Sequence, residues 1–247
     1  MKTIDYYEHW NKVRKKKTEL LDREKISFGM IKNIMGKNKK FIDMGCGNGD
    51  FLIFLKKYFD KTKIDIKLKG IDYSPSEVKE AKHMGLDVEQ SNFEEGIKLK
   101  DSYDVAYAGE VIEHLYNPDL LLSETNKILK NGGYVIITTP NLCAWFNRIL
   151  MPFGVQPLFL EPSTKSKLVG SGFLKRFKKG HEPVGHIRIF TLAALKDLLK
   201  MNGFKIIDVK GAIYDEGFPG SIQLVDKFFN LFPTLASHFV ILAKKVK

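Results

Sequence analysis

The sequence predicts an α/β fold: a seven-stranded, mostly parallel sheet with helices on both faces and an antiparallel strand at the edge. Three observations lead there. A short apolar run enters a glycine-rich turn at residues 41–49 and leaves it as a helix. Strand-like and helix-like segments then alternate from Lys40 to about Asn141, the pattern of a parallel sheet covered on both faces. Two further strand-like runs, Phe204–Lys210 and His238–Lys245, follow as an antiparallel pair at the sheet edge.

The elements read in order as follows. Residues 1–36 form a helical lead-in placed to fold over the sheet's ligand edge. Phe41–Met44 is the first strand, and Asp50–Phe59 a helix with apolar positions at Phe51, Leu52, Phe54 and Leu55. Leu68–Asp72 is the second strand; Ser74 caps the next helix and Pro75 takes its first position. Val88–Asn92, Tyr103–Ala108 and Tyr134–Thr139 are short buried strands, with a helix over Pro118–Lys130 between the last two. Residues 142–185 break the alternation with four prolines, several aromatics and a basic run. They exceed an ordinary connection, so they read as a lid or substrate insertion after the fifth strand. Thr191 then caps a helix ending at Gly203. Ile222–Phe232 is an amphipathic apolar stretch that packs on the lid or core, or makes a membrane-surface or dimer contact. The expected organisation is one domain, 1–247.

Composition bounds the setting. Apolar residues make up 44% of the 247, enough for a sizeable core. The N-terminus is charged (Lys2, Asp5, Glu8), no apolar run approaches bilayer length, and Cys46 and Cys143 show no metal-type spacing. A reducing cytoplasm is the expected setting. The net charge of +11 gathers at Lys12–Lys17, Lys37–Lys40 and Lys175–Lys179, which favours acidic partners. Lysines without interleaved aromatics argue against nucleic acid and for a lysine-rich solvated surface.

The glycine turn carries the chemistry. Gly45-x-Gly47-x-Gly49 lets the backbone approach a ligand without a Cβ in the way. The dinucleotide fingerprint needs one more residue before its last glycine, and no Gly-Lys-Ser/Thr follows, which excludes a P-loop. Asp72, 23 residues beyond Gly49, ends the second strand, where a carboxylate accepts both hydroxyls of a ribose. The pair reads as an adenosine group held at the strand ends.

Asp43-Met44-Gly45-Cys46-Gly47-Asn48-Gly49, Asp72, and the block Ser102–Asn141 with Gly109-Glu110-Val111-Ile112-Glu113-His114 together resemble the class I S-adenosylmethionine-dependent methyltransferases, in the branch similar to ubiquinone-biosynthesis O-methyltransferases. The likeness covers about 35–141 well and 186–247 more loosely. It implies a Rossmann-like sheet and S-adenosyl-L-methionine as cofactor, near Asp43, Gly45, Cys46, Gly47, Asp72, Tyr73, Asn92, Phe93, Gly109 and Glu110. Many members have Asp where this chain has Asn92; an amide oxygen still accepts the adenine amino group, but Asn equally suits a turn.

A sulfonium methyl is already electrophilic, so the protein needs a positioned acceptor and at most one base. Glu110, Glu113 and His114 stand at i, i+3 and i+4, one face if the segment is helical. His114, Glu113 and His186 are the catalytic candidates, with His114 as general base. Glu110, Glu113 and His114 form a donor set for a divalent ion such as Mg2+. The same Glu-x-x-Glu-His spacing is similar to that of metal-assisted RNA 3′-terminal 2′-O-methyltransferases, which add a downstream histidine; His181 or His186 stands in that position. The expectation is O- or N-methylation of a small-molecule acceptor by a monomer or homodimer. The alternatives are RNA ribose methylation and a non-catalytic, cofactor-binding partner subunit.

Overall fold

A computed structural model describes residues 19–177, 180–215 and 218–246. The first half of the predicted 1–36 lead-in, with the basic run Lys12–Lys17, and Lys178 and Lys179 lie outside the described residues.

Seven strands form one sheet in the order β3-β2-β1-β4-β5-β7-β6. They are β1 (Lys39–Met44), β2 (Ile66–Asp72), β3 (Val88–Gln90), β4 (Tyr103–Gly109), β5 (Leu129–Pro140), β6 (Phe204–Ala212) and β7 (His238–Lys245). β1 to β5 pair in parallel. β7 inserts between β5 and β6, antiparallel to both, so the edge pair reverses direction one strand in from the rim. Helices α1 (Asp22–Ile34), α2 (Asp50–Thr62), α3 (Pro75–His83), α4 (Pro118–Ile128), α5 (Trp145–Leu150), α6 (Leu192–Met201) and α7 (Gly220–Asn230) surround it.

Each face of the sheet has its own core. One gathers Ile42, Met44, Ala106, Ile137, Leu121 and Leu195; the other gathers Phe41, Leu52, Leu55, Phe59, Val105 and Ile136. Alternate residues of one strand therefore serve opposite cores, as a doubly covered sheet requires.

Local chemistry fixes the helix starts. Ser74 Oγ accepts Glu77 N–H at 3.3 Å and Thr191 Oγ1 accepts Ala194 N–H at 3.1 Å. Both caps fall where the sequence predicts them. The helix over Pro118 stops at Ile128, and β5 begins at Leu129, five residues before the predicted strand. Gly132, in the left-handed region at φ 74°, carries the chain through Asn131-Gly132-Gly133 inside that strand.

Residues 142–185 contain α5 and two short 3-10 turns, Met151–Phe153 and Gly172–Phe177. The 222–232 stretch becomes α7, whose apolar stripe is not core. Leu224, Phe228 and Leu231 face outward, and the helix is anchored through buried Asp226. That carboxylate accepts from Trp145 Nε1, Tyr214 N–H and Ser237 Oγ at 2.6–2.7 Å. No helix among the described residues is long and apolar enough to cross a membrane.

Candidate functional site

The carboxyl ends of β1, β2, β4 and β5 open on one edge of the sheet. β7 runs the other way, so its first residue, His238, reaches the same edge opposite Pro140. Open α/β sheets bind ligands at this edge.

The glycine turn is built for close approach. Gly45, Gly47 and Gly49 lie at φ 81°, 53° and 87°. A Cβ on Gly45 would collide with the Val111 side chain, and one on Gly49 with Leu86. Gly45 and Cys46 N–H donate to Ile71 O at 2.8 and 3.1 Å, which locks the turn to β2. Asp72 completes it: its Oδ2 accepts Gly47 N–H and its Oδ1 accepts Ser74 N–H, each at 2.8 Å. The carboxylate thus faces the turn.

Asp43 is buried beneath this turn; burial raises its pKa well above the ordinary value, and Asp72 and Glu24 push the same way. Cys46 is buried and its thiol pushed up by burial and by Asp43, so it is inert. Tyr73 is half-buried, and its carbonyl accepts from Gln90 Nε2 at 3.2 Å. Asn92 spends its side chain locally: Oδ1 accepts Glu94 N–H at 3.1 Å and Nδ2 donates to Glu95 at 2.8 Å. The turn role expected for it is therefore filled. Phe93 packs into the core.

At the end of β4 the sequence expectation needs correction. Gly109 and Glu110 do lie at the site edge, but Glu110 is not on a helix with Glu113 and His114. It takes a left-handed conformation, φ 57°, and only Ile112–His114 form a 3-10 turn. The Glu110 carboxylate turns away, accepting Thr138 Oγ1 at 2.8 Å and facing Arg23 Nε and His238 Nε2, each at 3.5 Å. Burial favours its neutral acid, yet the Arg23 guanidinium and the Thr138 hydroxyl outweigh it and hold the pKa at about 2. Glu110 is thus an ion-pair partner of α1, and the predicted set of Glu110, Glu113 and His114 does not assemble.

A different set does. Glu113, His114 and His186 bring one ligand atom each within 4.8 Å of one another. Glu113 is fully buried; its Oε2 accepts Thr139 Oγ1 at 3.0 Å, while Oε1 has no hydrogen-bond partner among the described residues. Burial first, then Glu110, raises its pKa. His114 Nδ1 meets Gly185 O at 3.1 Å and His186 Nδ1 meets Phe159 O at 2.9 Å. A carbonyl only accepts, so both Nδ1 atoms carry hydrogen. Burial pushes His114 down to about 3. His186 is delivered by Glu161, whose carboxylate accepts the N–H groups of Val184, Gly185 and His186 at 2.7–3.1 Å. Two imidazoles and a carboxylate suit a transition-type divalent ion better than Mg2+, which prefers oxygen.

Sequence reasoning missed Arg23, Thr138, Thr139, Glu161 and His238. His238 was accessible: the first residue of an antiparallel strand beside parallel ones must lie at their carboxyl edge.

A family model described as a methyltransferase domain matches residues 11–209. The chain is 26% identical over 198 residues to a ubiquinone biosynthesis O-methyltransferase of Pelagibacter ubique, covering 78% of this chain and 75% of that one. It is 27% identical over 183 residues to the mitochondrial enzyme of that name from Candida albicans, covering 70% of this chain and half of the relative's length. Among solved structures, it resembles a chain of the complex between the Haloferax volcanii Trm112 methyltransferase activator and a methyltransferase (TM-score 0.63, 14% identity, 100% and 98% coverage). It also resembles an S-adenosylmethionine-dependent methyltransferase of Thermotoga maritima (TM-score 0.58, 20% identity, 98% and 96% coverage). At these identities the two structures speak for the fold.

Proposed function

The chain belongs to the methyltransferase-domain family of S-adenosylmethionine-dependent enzymes, and from that premise we propose that it methylates a hydroxyl group of a small molecule. The observation that carries the cofactor side is Asp72, hydrogen-bonded at 2.8 Å to Gly47 of the left-handed glycine turn. The turn leaves backbone N–H groups bare of side chains, and a carboxylate at the end of the second strand stands beside it where a ribose would lie, so the residues fit the cofactor. Bound there, the cofactor supplies an electrophilic methyl group. The chain has only to hold the acceptor in line, exclude water and take up a proton.

The hydroxyl acceptor is favoured by the ubiquinone O-methyltransferase relatives. The acceptor pocket in this reading lies under residues 142–190 and α1, with residues 142–185 as its lid. Glu113, His114 and His186 would hold a divalent ion that orients the hydroxyl and lowers its pKa. The orphaned Glu113 Oε1 supports that fit, since a buried carboxylate oxygen without a donor is costly unless a cation meets it.

A second reading, ribose methylation of RNA, draws on the same three residues and the net charge of +11. Calorimetry with S-adenosylmethionine against NAD tests the cofactor. A methyl-transfer screen over phenols, amines, sugars and RNA, with and without a chelator, tests the acceptor and the ion. RNA retention that weakens steeply with salt would favour the second reading.

A further inference from the structure

His238 is a buried histidine that the glycine turn and the Glu113 cluster leave unexplained. Its side chain is 3% exposed, and its Nε2 lies 3.5 Å from Glu110 Oε2. Its Nδ1 has no hydrogen-bond partner among the described residues. The ring lies beneath two aromatic rings, Phe159 at 5.0 Å and Tyr214 at 5.9 Å between centroids.

These facts fix the state of the ring. Glu110 is ionised beside Arg23, so the imidazole hydrogen belongs on Nε2, facing the carboxylate. Nδ1 then carries a lone pair. Burial keeps the ring neutral, against the pull of Glu110 and with the help of Arg23 and His186. A carboxylate that orients an imidazole, whose far nitrogen is left bare, is the arrangement of a general base and its orienter. A buried lone pair without a donor also points to a donor that arrives from outside the chain.

We propose that His238 is the general base of the reaction, its Nδ1 accepting the hydrogen of the hydroxyl or amine that is methylated, with Glu110 as the residue that positions it. The inference rests on the methyl-transfer reading above and assigns it a proton acceptor other than His114. The O–CH3 bond forms as the sulfonium C–S bond breaks. The hydroxyl hydrogen passes to Nδ1, and the resulting imidazolium pairs with the Glu110 carboxylate. The products are a neutral methyl ether and a neutral thioether. Phe159 covers the ring and belongs to the 142–185 insertion, so the acceptor enters only when that segment lifts. Acceptors that carry a hydrogen to give up are therefore the substrate class; a thioether, which has none, would leave Nδ1 unused.

Two measurements test this. In protein labelled with nitrogen-15 histidine, NMR at pH 7 should show His238 as the Nε2–H tautomer with an unprotonated Nδ1. Glu110→Gln should disturb that tautomer. His238→Phe, a similar shape without the lone pair, should bind S-adenosylmethionine within about twofold of wild type by calorimetry. It should lose at least about 100-fold in kcat toward whichever acceptor the screen identifies. A hydrogen on Nδ1 in the wild-type spectrum overturns the assignment, and so does a His238→Phe variant within about threefold of wild-type kcat. If wild type binds no S-adenosylmethionine, the methyl-transfer reading itself fails; the NMR outcome needs no acceptor and reports on His238 alone.

Discussion

Asp72 and Gly47 meet across the sheet edge: a carboxylate oxygen of the second strand's last residue accepts the N–H at the centre of the glycine turn, 2.8 Å away. The bond holds the turn open in its left-handed shape and aims the carboxylate along the ligand edge. Asp72→Ala removes the acceptor of two backbone donors, Gly47 and Ser74. It should cost about 1–3 kcal/mol of stability. It should also weaken S-adenosylmethionine at least about tenfold, roughly the 1.4 kcal/mol of one ribose contact. Denaturant titration and calorimetry measure the two effects separately; a variant that binds the cofactor as well as wild type would refute the ribose assignment.

Gly45→Ala should be worse than an ordinary glycine replacement. The left-handed backbone alone costs about 1–2 kcal/mol with a Cβ. The new methyl also meets Val111, which is buried beside the turn. Pairing it with Val111→Ala should recover part of the loss, and a double-mutant cycle reads that coupling. Additive losses would show that strain in φ, rather than the collision, decides the residue.

Asn92 should prove a turn residue. Its side chain caps the turn at Phe93–Glu95. Asn92→Ala should therefore lower stability by about 1 kcal/mol and change cofactor affinity less than about twofold. Asn92→Asp should keep the cap. A large affinity loss with unchanged melting would restore the adenine contact.

Acid should destabilise the fold through His238 before it reaches Glu110. The His238 pKa is lowered from 6.5 to about 3, chiefly by burial, so the folded ring is neutral while the unfolded ring charges below 6.5. Its contribution is complete above pH 6.5 and is lost as pH falls from there toward 3, with a slope of up to about 1.4 kcal/mol per pH unit. Glu110 just after β4, Arg23 from α1 and His186 just after the insertion act on its charge, and Glu110 adds its own loss lower down, between 4.5 and about 2. His238→Phe should flatten the upper window by one proton and narrow the lower one, since His238 helps Arg23 to hold Glu110 down. Equal slopes in both proteins would contradict the buried neutral ring.

Glu161→Gln should act on the Glu113 cluster at a distance. Glu161 gathers three N–H groups that set the path of residues 184–186, and His186 reaches His114 from there, with ring centroids 4.9 Å apart. If the cluster holds an ion, Mn2+ or Zn2+ should raise the melting temperature of wild type more than Mg2+ does. The variant should lose most of that rise. An equal rise in both proteins would detach Glu161 from the cluster.

The sheet was legible because its signals are local. Gly45, Gly47 and Gly49 mark a turn that few backbones need, and Ser74-Pro75 and Thr191 announce helix starts by their own chemistry. Asp72 was readable for the same reason, one strand away from a recognisable turn. Glu110 misled because a spacing of three and four implies one face only in a continuous helix. Here Glu110 adopts φ 57°, and its charge is claimed by Arg23, 87 residues earlier. Asp226 and Glu161 were invisible for a similar reason: their partners, Trp145, Ser237 and Gly185, are set by tertiary packing. The apolar residues of α7 left packing and surface contact both open, because hydrophobicity shows a face, not which way it turns.

β7 pairs with both β5 and β6, and among the described residues β6 has no other strand beside it. During synthesis β6 therefore emerges with no neighbour to join and waits until residues 238–245 have cleared the ribosome. The nascent sheet therefore stays unfinished until β7 has been made. Anything that halts translation just short of that point leaves a sticky fragment for the proteases rather than a slow enzyme.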